Sequence, residues 1–242
     1  MHAWEYLLLW GAAILGGWLA YFLKARNDNL IGVLLSFSGA YLIGIVFTHL
    51  LPEVYEMQGY AVGGYVLLGY FLQLLLESLS KGLEHGHIHA AHKPEKGFLF
   101  SIMIGLGIHA FMEGIPLSGF DMLHDHDMNY LLFGIVFHKL PAAFALVLLL
   151  LLSGYKERIV LICLLIFSIL SPLGAFLATF FGAGTFLPQK TMVAIVAVVI
   201  GSFLHIGTTI LFESGSRKSH KINPRKLIAV IAGFGLSLLS GH

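Results

Sequence analysis

Apolar residues fill this chain in blocks of about twenty, separated by short polar stretches. Eight blocks can be drawn: residues 4–23, 30–51, 60–79, 98–117, 130–152, 159–181, 192–212 and 227–239. At about 1.5 Å per residue, twenty helical residues cross a hydrocarbon core of about 30 Å. The pattern predicts an all-α polytopic membrane protein with eight transmembrane helices. The sixth block is expected to break at Ser171-Pro172, since proline removes a backbone donor. The eighth is short. The first has no basic n-region and no small-residue cleavage site, so it reads as a retained helix rather than a signal peptide.

Basic residues test the count. If the blocks alternate across a membrane, the loops after the first, third, fifth and seventh share one side. Those loops hold 12 of the 14 Lys and Arg residues; Lys190 lies on the other side and Lys139 inside a block. Basic residues favour the cytoplasmic face, so the bias predicts eight spans with both termini outside. Residues 1–242 read as a single transmembrane domain, and residues 81–96 as a His-rich cytoplasmic loop within it.

Composition agrees. The chain is 57% hydrophobic and 11% charged, where a soluble domain carries about a quarter charged residues. Mean hydropathy is +0.86. The lipid bilayer is thus an expected partner. A net charge of +1 argues against nucleic acid. The one cysteine, Cys163, forms no intrachain disulfide and says nothing of compartment.

Against this background a few polar residues stand out. His109 and Glu113 are four apart in the fourth block and share a helix face. His138 and Lys139 lie inside the fifth, followed by Pro141. A charged group inside hydrocarbon costs about 2.5–3.5 kcal/mol on insertion scales. In the expected topology His109 and Glu113 lie about 18 Å from the inner end of their span, and His138 about 12 Å from the outer end of its own. The depths coincide, so all three can converge on one ion. Two imidazoles and a carboxylate suit a divalent transition metal. The alternative is that they are buried hydrogen-bonding residues holding helices together. Pro116 and Pro141 are expected to loosen their helices and free carbonyls toward the site.

HAFMEG (109–114) followed by HKLPAA (138–143) resembles the paired signature helices of the ZIP (Zrt/Irt-like) divalent metal transporters. The eight spans, outside termini and His-rich loop are similar to that family as well, with weaker echoes in HLLPE (49–53) and FLHIGTTILFE (203–213). The resemblance implies a transporter rather than an enzyme. It would move a divalent metal toward the cytoplasm by alternating access, with His109, Glu113 and His138 as ligands. Zn²⁺ is the expected substrate, with Fe²⁺, Mn²⁺ and Cd²⁺ not separated from it by these ligands. Many relatives hold a second metal. The matching positions here are Ala110, Lys139, Ala142 and Ser171, which supply no carboxylate. This points to a mononuclear site, with Lys139 either standing near the second cation's place or, alternatively, snorkelling or pairing with Glu113. Tyr41 is expected to be a wall of the site.

The transport path is expected to include His49, Glu53, Lys139, His205 and Glu213. Asp121, His124, Asp125, His126 and Asp127 would draw cations to the entrance, and Glu77 reads as a solvated or capping residue. His85, His87, His89 and His92 are candidates for loop metal binding. There is no G-x-S-x-G, H-E-x-x-H, C-x-x-C or P-loop. Two rival readings stay open: an intramembrane zinc-dependent hydrolase, and a metal-sensing membrane protein. A homodimer is compatible with the sequence, which leaves oligomeric state open. The short loops suggest a prokaryotic plasma (inner) membrane.

Overall fold

The structure is a computed structural model that describes residues 1–23, 28–83, 97–117, 125–182, 186–214 and 223–239, with residues 28–29, 125–128 and 213–214 as backbone only. Among the described residues there are nine α-helices and no strand pair longer than an isolated bridge. They are α1 (Ala3–Leu23), α2 (Asp28–Ile45), α3 (Leu51–Gln58), α4 (Ala61–Ser80), α5 (Phe98–Gly114), α6 (Asp125–Leu152), α7 (Glu157–Phe181), α8 (Gln189–Ser214) and α9 (Pro224–Leu239). Seven stretches, one of them formed by α2 and α3 together, are long and apolar enough to cross a membrane.

Proline produces the main differences from expectation. The second block runs on past Leu51, because a π-turn at Val46–Leu50 joins α2 to α3 and the stretch continues to Gln58. Pro52 has no N–H, and its ring needs room beneath the preceding carbonyls. A turn one residue wider, closed by Leu51 N–H to Val46 O, gives that room. The sixth block does not break. α7 passes through Pro172 from Glu157 to Phe181, and α6 passes through Pro141. In lipid the alternative to a helix is bare backbone, so packed neighbours keep a proline-containing helix intact. Pro116 ends α5 in a 3-10 turn, Ile115–Leu117.

α9 has 16 residues, about 24 Å of helix, which is shorter than the hydrocarbon core. The eight-span count therefore rests on this helix. It begins three residues before the apolar block: the Asn223 side chain accepts from Arg225 N–H at 3.0 Å, with Pro224 at the first helical position.

α1 packs on α6 and α7, α5 on α7 and α4, α4 on α8, and α2 on α8, α9 and α6. Glycine sets the closest crossing near the signature residues. A Cβ on Gly114 would lie 2.1 Å from Ser171 O, and one on Gly174 2.0 Å from Phe111 O, so α5 and α7 touch backbone to backbone. Two apolar clusters fill the interior. One holds Ala142–Leu150 of α6 with Ile102, Leu106 and Ala110 of α5. The other holds Leu131, Leu132 and Ile135 of α6 with Met112 of α5. Between them α5 and α6 carry their polar residues, at the waist of the bundle. The outer faces of α1 and α4 expose Leu7, Phe22, Leu67, Phe71 and Leu75, surface that suits lipid rather than water.

Candidate metal site

His109 and Glu113 sit one turn apart near the end of α5, with His109 Nε2 3.6 Å from Glu113 Oε2. His138 comes from α6, its ring set edge-on to that of His109 at 5.8 Å between centroids. One donor atom from each of the three lies within 4.8 Å of the others, and all three side chains are buried. A tetrahedral shell with bonds of about 2.1 Å spaces its ligand atoms about 3.4 Å apart. The His109–Glu113 spacing already matches that, and the His138 donor would close by at most about 1.4 Å on an ion. Among the described residues no other group of three His, Cys, Asp or Glu donors comes together.

The fourth polar group is Lys139, with no exposed surface. Its ammonium donates to Glu113 Oε1 and to Ser171 Oγ and lies 4.4 Å from the centre of the Phe167 ring. The Ser171 hydroxyl is 2.6 Å from both Glu113 Oε1 and Ala110 O, and its single proton serves one of them at a time. Three helices thus converge on one carboxylate: α5 carries it, α6 supplies the cation and α7 the hydroxyl. The sequence had offered pairing with Glu113 as one of two readings of Lys139, and the pair is present. Phe167 was not foreseen, because an apolar residue in an apolar helix carries no signal of what it will face.

Aromatic side chains pack between α2 and α6 beside the site. Tyr41 on α2 is buried, donates its hydroxyl to Tyr130 O at 3.1 Å, and lies against Gly134 one turn from His138. His49 lies in the π-turn, with its Nδ1 2.6 Å from Thr48 Oγ1 and its ring 6.3 Å from that of Tyr130. Glu53 follows in the first turn of α3. Neither belongs to a three-donor group.

On the other side His205 Nε2 meets Glu77 Oε2 at 2.5 Å, with the Tyr70 ring edge-on to the imidazole. Glu77 is therefore tied to α8, a correction to its reading as a solvated or capping residue: the turn of α4 that carries it faces α8, where His205 offers a ring nitrogen. Just above, Ser202 Oγ donates to Gln73 Oε1 at 2.8 Å. Glu213 is placed as backbone only. His85, His87, His89, His92, Asp121 and His124 lie outside the described residues, as do the side chains of Asp125, His126 and Asp127.

Comparison with known proteins agrees with this architecture. The family model described as ZIP Zinc transporter matches residues 98–241, the segment that carries both signature helices. The protein named Zinc transporter ZIP9 of Micropogonias undulatus is 26% identical over 209 residues, 75% of this chain and 64% of its own length. Zinc transporter ZIP9-B of Xenopus laevis is 30% identical over 117 residues, 46% of this chain and 37% of its own length. The chain thus spans less than two thirds of the length of these curated relatives. Both are eukaryotic and lend no support to a prokaryotic plasma membrane as its location. With a match over more than half its residues, on helices built to cross a bilayer, the chain belongs to the ZIP zinc transporter family.

Proposed function

We propose that this protein carries a divalent transition metal, Zn²⁺ first among them, through the membrane by way of one ion site made by His109, Glu113 and His138. The observation that carries the reading is the burial of two imidazoles and one carboxylate within 4.8 Å of each other at the waist of an apolar helix bundle. Three protein donors leave part of the shell to water, which suits an ion that must be released as well as bound. The site is mononuclear: Lys139 brings an ammonium onto Glu113 and Ser171, where relatives with a second metal supply acidic groups. With Glu113 already neutralised by that ammonium, the incoming ion gains less electrostatic stabilisation than two free carboxylates would give. Binding is weaker and exit easier.

The direction is the one the family implies, toward the cytoplasm, with both termini outside as the basic loops suggest. During alternating access α5 and α6 hold the ion between them, and the other helices rock against this pair. His49 and Glu53 lie on the outer approach. A hydrolase is disfavoured because Glu113, the one carboxylate at the cluster, is engaged by Lys139 and Ser171 and has no freedom to act as a general base.

The test is Zn²⁺ flux into proteoliposomes that hold a zinc-sensitive dye, comparing the native chain with His109→Ala. Saturable flux that disappears in the variant is the expected result. A native protein that binds zinc but moves none would overturn the carrier reading and favour a sensor.

A further inference from the structure

We infer that Lys139 and Ser171 set the metal selectivity of this site by withholding one oxygen of its only carboxylate. The inference rests on the proposed ion site at His109, Glu113 and His138.

The two oxygens of Glu113 have different surroundings. Oε2 faces the His109 ring, 3.6 Å from its Nε2, and Glu113 is the carboxylate of the three-donor cluster. Oε1 accepts from the Lys139 ammonium and lies 2.6 Å from the Ser171 hydroxyl. A carboxylate oxygen offers about two lone-pair sites; the ammonium occupies one on Oε1, and the Ser171 hydroxyl takes the other whenever its proton is not on Ala110 O. The clamp comes from two other helices, and each half is itself held. The Lys139 ammonium lies over the Phe167 ring, and Ser171 Oγ also reaches Ala110 O. All three side chains are almost fully buried. Water therefore does not compete for these bonds, and charge-assisted hydrogen bonds are at their strongest in such a site.

An ion entering the cluster thus meets two nitrogens and a single carboxylate oxygen. With one water this completes the four-coordinate shell that Zn²⁺ adopts readily. Mn²⁺ favours more ligands and oxygen-rich shells, and a chelating carboxylate is the simplest way to provide them. Here that option is removed. The ammonium also repels any arriving cation, but its charge acts on two divalent ions alike. The withheld oxygen acts on them unequally, and this separates the two effects.

The experiment uses the full chain in lipid nanodiscs, titrated with Zn²⁺ and with Mn²⁺, and X-ray absorption at the zinc edge. The variants are Ser171→Ala, the double change Lys139→Met with Ser171→Ala, and Ser171→Thr, which keeps the hydroxyl. In the double variant Mn²⁺ affinity is expected to rise relative to Zn²⁺ by about tenfold, about 1.4 kcal/mol, and the zinc shell to gain a second carboxylate oxygen. Ser171→Ala should shift the ratio part of the way, and Ser171→Thr should restore it. If both metals tighten by one factor with the shell unchanged, Lys139 acts by charge alone and the inference falls. Should the double variant fail to fold, an unshifted ratio in Ser171→Ala overturns it equally. A native protein whose zinc binding survives His109→Ala would sink the underlying site reading, and with it this one; that result is distinguishable because it involves neither Lys139 nor Ser171.

Discussion

Gly114→Ala is the sharpest probe of how this site is held, because it touches no ligand. A Cβ at Gly114 would lie 2.1 Å from Ser171 O and 2.9 Å from Ala175 N, both backbone atoms. No side-chain rotation relieves such a contact. To reach the ordinary 3.4 Å, α5 and α7 must part by about 1.3 Å. The two Ser171 hydroxyl contacts of 2.6 Å would then approach 3.9 Å, beyond hydrogen-bond range. Lys139 of α6 bonds to Glu113 of α5 and to Ser171 of α7, so the parting helices break one of these bonds and the Glu113 carboxylate is expected to shift relative to His138. Metal bonds tolerate errors of only about 0.2 Å, so the ion loses its hold on at least one of three donors. Zinc affinity should fall by about tenfold or more, about 1.4 kcal/mol, and the fold should lose about 1–3 kcal/mol to overpacking. Calorimetric zinc titration of the purified protein, followed by flux in proteoliposomes, measures both. Gly11→Ala is the control, since a Cβ there meets nothing within 4 Å. If Gly114→Ala binds and moves zinc as the native chain does, the close contact of α5 and α7 does not position the site.

Two more outcomes follow from the geometry. Imidazole and carboxylate bind metal only when unprotonated, so zinc flux should fall on acidification; flux that climbs steadily as pH drops would contradict competition between protons and metal. Glu77→Ala removes the His205 partner, and side-chain hydrogen bonds between membrane helices contribute about 0.6 kcal/mol on average and about 1.7 at most. A stability loss of about 1 kcal/mol with most of the flux retained would mark the pair as scaffold, whereas lost flux at unchanged stability would place it in the path.

The helices themselves were legible in the sequence because a bilayer imposes a simple rule. Apolar runs must be long enough to cross it, and every backbone group must be bonded within its own helix. This is why α1, α4, α5 and α8 begin and end within a few residues of the apolar blocks. The convergence of His109, Glu113 and His138 could also be anticipated, since depth along a helix follows from counting residues. Counting could not settle what proline does. Pro52 widens a turn, Pro141 and Pro172 leave their helices whole, and Pro116 ends one. The difference lies in what packs beside each ring. Nor could it show which way a polar side chain turns. Glu77 finds His205, and Lys139 finds Glu113, Ser171 and Phe167. Each of these is a contact between helices brought together by backbone approaches such as that of Gly114 to Ser171, and such distances depend on the whole bundle. Sequence alone determined the apolar helices, the clustering of His109, Glu113 and His138, and the family. The tertiary structure decided that one carboxylate oxygen of Glu113 faces the His109 ring while the other is held by a buried ammonium and a hydroxyl.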